Sequence, residues 1–184
     1  MAKLIAAINM TVDGYCDHTV IIPDEEIHQH YTDLLNSAGT ILYGRKTYEL
    51  MKFWQPFITQ PSGDPSHDEF AIAIDKISKI VFSHTLINVG WHTAFLATRS
   101  LKAEVESLKQ KEDKDILVGS PSLIVALTNM ELIDEFQLCV HPVIAGKGLP
   151  LFKEISEKLI LRLLKTKPFS GGAINLYYQP LKKA

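Results

Sequence analysis

Two rhythms of apolar and polar positions alternate along the chain. Unbroken apolar runs such as "KLIAAINMT", "TILYG", "KIVFSHT" and "DILVGS" predict strands buried on both faces. Between them lie stretches with helical spacing. In "PDEEIHQHYTDLLNSAG" the apolar positions Ile27, Tyr31, Leu34 and Leu35 share one face, Pro23 and Asp24 are start signals, and Gly39 is a stop. "RKTYELMKFW" predicts a second helix. "SLKAEVESLKQKE" predicts a third, with Leu101, Val105 and Leu108 on one face. "PSLIVALTNMEL" predicts another, with Pro121 in its first turn, where a missing N–H costs nothing.

Some segments read differently. "QPFITQPSGDPSHDEF" is rich in Pro, Gly, Ser and Asp and predicts a surface loop, after which "AIAIDKIS" reads as a short helix entering the strand "KIVFSHT". "NVGWHTAFLAT" carries a short strand and "IDEFQLCVHPVI" a long one. After the glycine-rich loop "AGKGLPLF", the chain closes on two strands, "LILRLLKTKPF" and "AINLYYQPL", joined by "FSGG". Alternation of strand and helix followed by a strand-rich end predicts a mostly parallel sheet with helices on both faces and an antiparallel C-terminal part. In such sheets ligands sit at the carboxyl ends of strands. Here "VDG", "YGRKT", "VFSHT" and "VGSPS" are four strand ends that would line one crevice.

Composition narrows the function classes. The 184 residues fit one domain, 1–184, with a sizeable core. The chain is 46% hydrophobic and 22% charged, with a net charge of −2, so a broad basic face for nucleic acid is not expected. The apolar run at the N-terminus is too short for a signal peptide, and no run reaches membrane-span length; the expectation is a cytoplasmic protein. Cys16 and Cys139 lack metal-ligand spacing. His28 and His30, two apart on a helix, point to different faces, so no metal is expected.

The turn Gly44-Arg45-Lys46-Thr47 combines a glycine, a helix start and a fixed cation, which together suit a phosphate. The plainer reading is a tight turn with a solvated arginine.

The blocks "NMTVDGY", "LYGRKTYE", "VFSHTL", "ILVGSPSLIVAL" and "IDEFQLCVHPVIAGKGLPLF" together resemble the dihydrofolate reductase superfamily, in the branch of the riboflavin-biosynthesis reductase domain. The likeness spans nearly the whole chain. It implies a three-layer α/β/α fold with a mixed sheet of about eight strands, NADPH as hydride donor, and a homodimer. By that resemblance Gly44, Arg45, Lys46 and Thr47 hold the cofactor's phosphates, and Ser83 and His84 face its adenosine side. Gly119, Ser120, Pro121, Ser122 and Leu123 pass under the pyrophosphate. Ala7 also contacts the cofactor, Asp13 and Gly14 lie beside the nicotinamide, with Asp13 as the catalytic polar group, and Glu25, His28, Trp54 and Gly146 face the substrate.

The implied activity is reduction of a pyrimidine- or pteridine-type heterocycle, resembling 5-amino-6-(5-phosphoribosylamino)uracil reductase. Departures keep two rivals open: a nucleotide-binding sensor without turnover, and a true dihydrofolate reductase. Ser83-His84 stands where a Ser-Arg pair is common in the family, and Gly119-Ser120 replaces paired glycines. The first helix has Ile27, His28 and Gln29, with no carboxylate, where folate reductases carry an acid. Asp13 also reads as a plain Asp-Gly turn, and Trp54, with Phe53, as core aromatics.

Overall fold

The computed structural model describes residues 1–181; residues 182–184, the tail of the expected domain, lie outside the described residues. Eight strands form one sheet: β1 (Leu4–Thr11), β2 (Thr40–Gly44), β3 (Ser78–Phe82), β4 (Ala94–Leu96), β5 (Ile116–Val118), β6 (Glu135–His141), β7 (Leu161–Pro168) and β8 (Ile174–Pro180). Their order across the sheet is β4-β3-β2-β5-β1-β6-β8-β7. The first six run parallel. β8 is antiparallel to β6, and β7 to β8. All six parallel strands therefore end on one edge, as the crevice argument requires.

The helices are α1 (Glu25–Ser37), α2 (Arg45–Met51), α3 (Pro65–Lys76), α4 (Leu101–Lys111) and α5 (Pro121–Asn129), with a 3₁₀ helix (Lys52–Ile58) following α2. Connections moving toward β4 and those moving back must cross on opposite faces if both are right-handed. The core shows this separation. Leu4, Ala6 and Ile8 of β1 pack with Val105 of α4 and Ile124 and Leu127 of α5. Ile5, Ile41 and Leu117 pack on the other face with Leu35 of α1, Tyr48 of α2 and Ile74 of α3. Every second residue of a parallel strand thus meets a different helix layer, which is why these strands read as unbroken apolar runs.

One expectation fails. The segment around "PSGDPSHDEF" is not a loop throughout, because α3 begins at Pro65 with Asp64 as its cap. Asp64 accepts from the N–H of Ser66 at 2.9 Å, and Pro65 fills the first helical turn, so the residues read as breakers are start signals.

Lys79, at the start of β3, is fully buried. Its ammonium donates to the carbonyls of Ile77 (2.8 Å) and Asp75 (3.2 Å) and lies 4.3 Å from the Trp91 ring centre. Burial lowers its pKa to about 8. The unfolded chain then holds a proton that the native state has lost between pH 8 and about 10.4, so this group's contribution to stability rises with pH in that window. The thiols of Cys16 and Cys139, raised by burial, pull the other way. Comparison with Lys79→Met cancels them. Between pH 7.5 and 9.5 the wild type should gain about 2 kcal/mol over that variant in urea unfolding; a constant difference refutes the charge assignment.

Candidate functional site

The parallel strand ends collect the turns after β1, β2, β3, β5 and β6. The helix starts at this edge are not equivalent. Asp24 caps α1 by accepting from the Ile27 N–H at 2.9 Å, and Asp64 caps α3. The starts of α2 and α5 carry no side-chain cap. Ser120, placed to cap α5, turns its hydroxyl away and accepts from the Gly44 N–H at 2.9 Å. The two uncapped turns are thereby tied together. Their orphan N–H groups and positive dipole ends stay available for an anion.

Arg45 and Lys46 are exposed beside them, and no carboxylate of the described residues pairs with either. A Cβ added to Gly44 would lie 3.5 Å from the Ser122 hydroxyl and 3.8 Å from Leu123, and one added to Gly119 would lie 3.4 Å from the Ala7 carbonyl oxygen. The structure thus brings Ala7, Gly44, Arg45, Lys46, Thr47 and the 119–123 turn to one place. The Ser83 hydroxyl is used locally, accepting from the N–H groups of Thr85 (3.1 Å) and Leu86 (2.9 Å), while His84 is exposed. Phosphates, glycine turns and free cations fit one another, so these residues suit a dinucleotide such as NADPH.

Asp13, expected as the catalytic polar group, sits where two loops meet. Its carboxylate accepts from the Thr11 hydroxyl (2.6 Å) and from the backbone N–H groups of Ala145 (3.1 Å) and Gly146 (2.7 Å). The Thr11 hydrogen bond leads these effects in lowering the Asp13 pKa to about 2. A carboxylate so held gives up no proton at neutral pH; it positions the loop after β6 against the loop after β1. Gly14 and Gly146 adopt the left-handed φ values of +88° and +69° that these two loops require. The folded pKa lies below the unfolded value, so this contribution to stability is present above about pH 4 and is lost as pH falls toward 2. In Asp13→Ala, amide exchange at Ala145 and Gly146 should quicken by roughly tenfold at pH 7 and the pH 4-to-2 dependence should vanish. Unchanged exchange would show that the loop is held by other bonds.

The substrate-side residues divide. Glu25 is exposed on the first turn of α1. His28 is half-buried and joins Trp54, His67 and Phe70 in a set of ring contacts, with centroids 4.7 Å apart for His28–His67 and Trp54–Phe70. Burial, then the neighbouring His67, lowers the His28 pKa. His30 diverges from His28, as the spacing requires, and its Nε2 lies 3.1 Å from Asn175. Ile27, one of the three positions where a folate-type acid would stand, packs with Cys139, Phe169 and Ala173 in the core.

Sequence reasoning missed a polar string beside this wall. The Tyr31 hydroxyl donates to Asn9 Oδ1 at 3.1 Å, and Nε2 of the buried His141 lies 2.9 Å from the same oxygen. An amide oxygen only accepts, which assigns the proton of His141 to Nε2. Asn9 inside "LIAAINM" was the signal: a polar side chain in a strand otherwise apolar on both faces.

Among the described residues no helix is long and apolar enough to cross a membrane. The sheet order, the antiparallel last strands and the glycine turns at one edge place the chain in the dihydrofolate reductase-like class of α/β proteins. The chain belongs to the RibD C-terminal domain family, which it matches over residues 2–174. Two proteins of Bacillus subtilis are similar along their length. YyaP is 33% identical, with 96% of this chain and 94% of YyaP covered. YwjB is also 33% identical, at 96% and 97% coverage; both are described as uncharacterized.

Among solved structures, a pyrimidine reductase-like protein from Corynebacterium diphtheriae superposes with a TM-score of 0.68 at 16% identity, covering 99% of this chain and 93% of that one. RibD of Acinetobacter baumannii gives 0.74 at 15% identity, with 99% of this chain spanning 59% of that one. Dihydrofolate reductase of Enterococcus faecalis, complexed with NADP(H), gives 0.65 at 14% identity and covers 98% and 97%. The family is one of reductase domains, which sets an oxidoreductase role in general for this chain.

Proposed function

We propose that the protein is an NADPH-dependent reductase that transfers a hydride to a pyrimidine- or pteridine-type heterocycle. The observation that carries this reading is the pair of uncapped helix starts, joined by the Ser120–Gly44 hydrogen bond and flanked by Arg45 and Lys46, which have no carboxylate partner among the described residues. NADPH would supply the hydride. Arg45, Lys46 and the N–H groups of α2 and α5 hold its phosphates, and Gly119 lets the dinucleotide approach the backbone beside Ala7. The Asn9–Tyr31–His141 string offers a heterocycle fixed hydrogen-bonding groups, and catalysis is mainly positioning. With Asp13 held ionised and no carboxylate at Ile27, His28 or Gln29, the proton comes from bound water or an imidazole, His28 or His141.

The relatives support the class of substrate. The solved structures include a diaminohydroxyphosphoribosylaminopyrimidine deaminase/5-amino-6-(5-phosphoribosylamino)uracil reductase of Thermotoga maritima, whose fold this chain shares at a TM-score of 0.66 while spanning 57% of that chain. The lack of a carboxylate at Ile27, His28 and Gln29 of α1 favours a second reading, a nucleotide-binding sensor without turnover, over a true dihydrofolate reductase. Fluorescence titration with NADPH, followed by stopped-flow mixing with candidate heterocycles, separates them. Binding with oxidation supports the reductase, binding without oxidation by any heterocycle supports the sensor, and no binding removes both.

The reading includes a homodimer. β7 is a sheet edge, and Leu163 and Leu164 there are 51% and 45% exposed. An apolar edge left in water invites a second chain, and two-fold closure is the commonest outcome. Light scattering at micromolar concentration should give about twice the 20.6 kDa of one chain; a mass of 20.6 kDa refutes it.

A further inference from the structure

The charges around the candidate site are segregated by sign. No lysine or arginine occurs between Lys3 and Arg45, or between Lys52 and Lys76. Those two stretches supply the loop after β1, all of α1, most of the 3₁₀ helix and α3 up to its last residue. Of the bounding cations, Lys52 lies 3.4 Å from Glu49 in an ion pair, and Lys76 is in the last turn of α3, away from the strand ends. Lys167 acts on His30 and Glu26, on the other flank of α1 from His28. Lys147 stands on the loop tied down by Asp13, an exposed cation with no second one beside it in sequence.

The N-terminal ends of α1 and α3 lie at the carboxyl edge of the sheet, where the substrate of the proposed reaction would enter. Both are capped by carboxylates, Asp24 and Asp64, whose negative charge offsets the positive dipole end and disfavours a second anion there. Glu25, Glu26, Asp68 and Glu69 add negative charge on the same two helices. Between them stands the aromatic set His28, Trp54, His67 and Phe70, which Phe53, 65% exposed, extends outward. The charges that act on His28 are those of His67, Asp64 and Asp24, and burial keeps its imidazole in the neutral form at pH 7.

From this geometry we infer that the substrate half of the site selects a planar aromatic heterocycle that carries no phosphate, stacked against Trp54 and its neighbours. The inference rests on the reductase reading and refines it. A phosphate dianion needs a guanidinium, an ammonium or a free helix start, and this chain gathers the adjacent pair Arg45 and Lys46 and the uncapped helix starts on the cofactor half, leaving the single Lys147 near the other. Rings, by contrast, gain from stacking on indole and phenyl faces whatever their identity, and the acidic rim repels a phosphorylated tail. The substrate of a phosphoribosyl-dependent reaction would therefore bind poorly, and the reaction that supplies the true substrate would be one that yields a dephosphorylated or never phosphorylated heterocycle.

Matched pairs that differ only in the phosphate test this: riboflavin against riboflavin 5′-phosphate, and uridine against uridine 5′-phosphate. They are titrated into wild type saturated with NADP⁺, following flavin or Trp54 fluorescence. At least one unphosphorylated member should bind at least tenfold more tightly than its phosphate ester. Trp54→Leu should weaken that member by roughly 5- to 150-fold, the range a lost stacking contact implies. Equal or tighter binding of the esters overturns the inference, as does an unchanged affinity in Trp54→Leu. If NADP⁺ binds and neither unphosphorylated compound does, the aromatic wall is not a substrate surface and the reductase reading survives. Failure of NADP⁺ itself to bind removes the reductase reading instead.

Discussion

Gly119→Val should abolish NADPH binding while the protein stays folded. Gly119 does not adopt a left-handed φ, so its backbone accepts a side chain without strain. The obstacle is space. A single added Cβ lies 3.4 Å from the Ala7 carbonyl oxygen, at the limit of ordinary contact, so alanine is just accommodated. The further methyl groups of valine have β1 on one side and the cofactor crevice on the other. A loss of more than about a hundredfold in affinity is expected for valine and a much smaller one for alanine, corresponding to about 3 kcal/mol between them. Circular dichroism and thermal melting check the fold, and NADPH fluorescence checks the site. A folded valine variant that binds with an unchanged Kd would move the cofactor crevice elsewhere.

Arg45→Ala should weaken NADPH by roughly 10- to 100-fold and NADH by clearly less. A charge-assisted contact to phosphate contributes about 1.5–3 kcal/mol, and each 1.4 kcal/mol is a factor of ten. Arg45 is exposed and free of any carboxylate partner among the described residues, so its whole charge is available. With His84 in place of an arginine after β3, the burden of reading an extra phosphate falls on Arg45 and Lys46. Equal losses for the two dinucleotides would assign Arg45 to the shared pyrophosphate.

The strands β1, β2, β5 and β6 were legible because each is covered on both faces, which writes an unbroken apolar run into the sequence. The start of α3 was not, because Asp64 and Pro65 carry two meanings, loop and helix start, and only the register of the following residues separates them. The turns 44–47 and 119–123 were legible as glycine-bearing strand ends. That Ser120 leaves its own helix uncapped to bond Gly44, 76 positions away, was not, since local chemistry favours the ordinary cap. Asp13 shows the same limit. Its Thr11 partner is local, but the two amides that hold it ionised lie more than 130 positions away, and nothing in "VDG" announces them. The His141–Asn9–Tyr31 string joins three elements and escapes any single-segment reading.

The position of β1 has a consequence during synthesis. It is an interior strand, yet its only neighbours are β5 and β6, and its first pairings, Leu4 with Ile116 and Ile5 with Glu135, span most of the chain. At about 5–20 residues per second, a ribosome exposes "LIAAI" on the order of ten seconds before either partner emerges. The β2–β3 pair, close in sequence, can assemble first and wait. Until β6 arrives, the nascent chain presents a short, uncharged, strand-forming segment near its N-terminus. That segment is where trigger-type chaperones or aggregation would engage this protein, and a release factor acting before residue 141 would leave it permanently unpaired on one side.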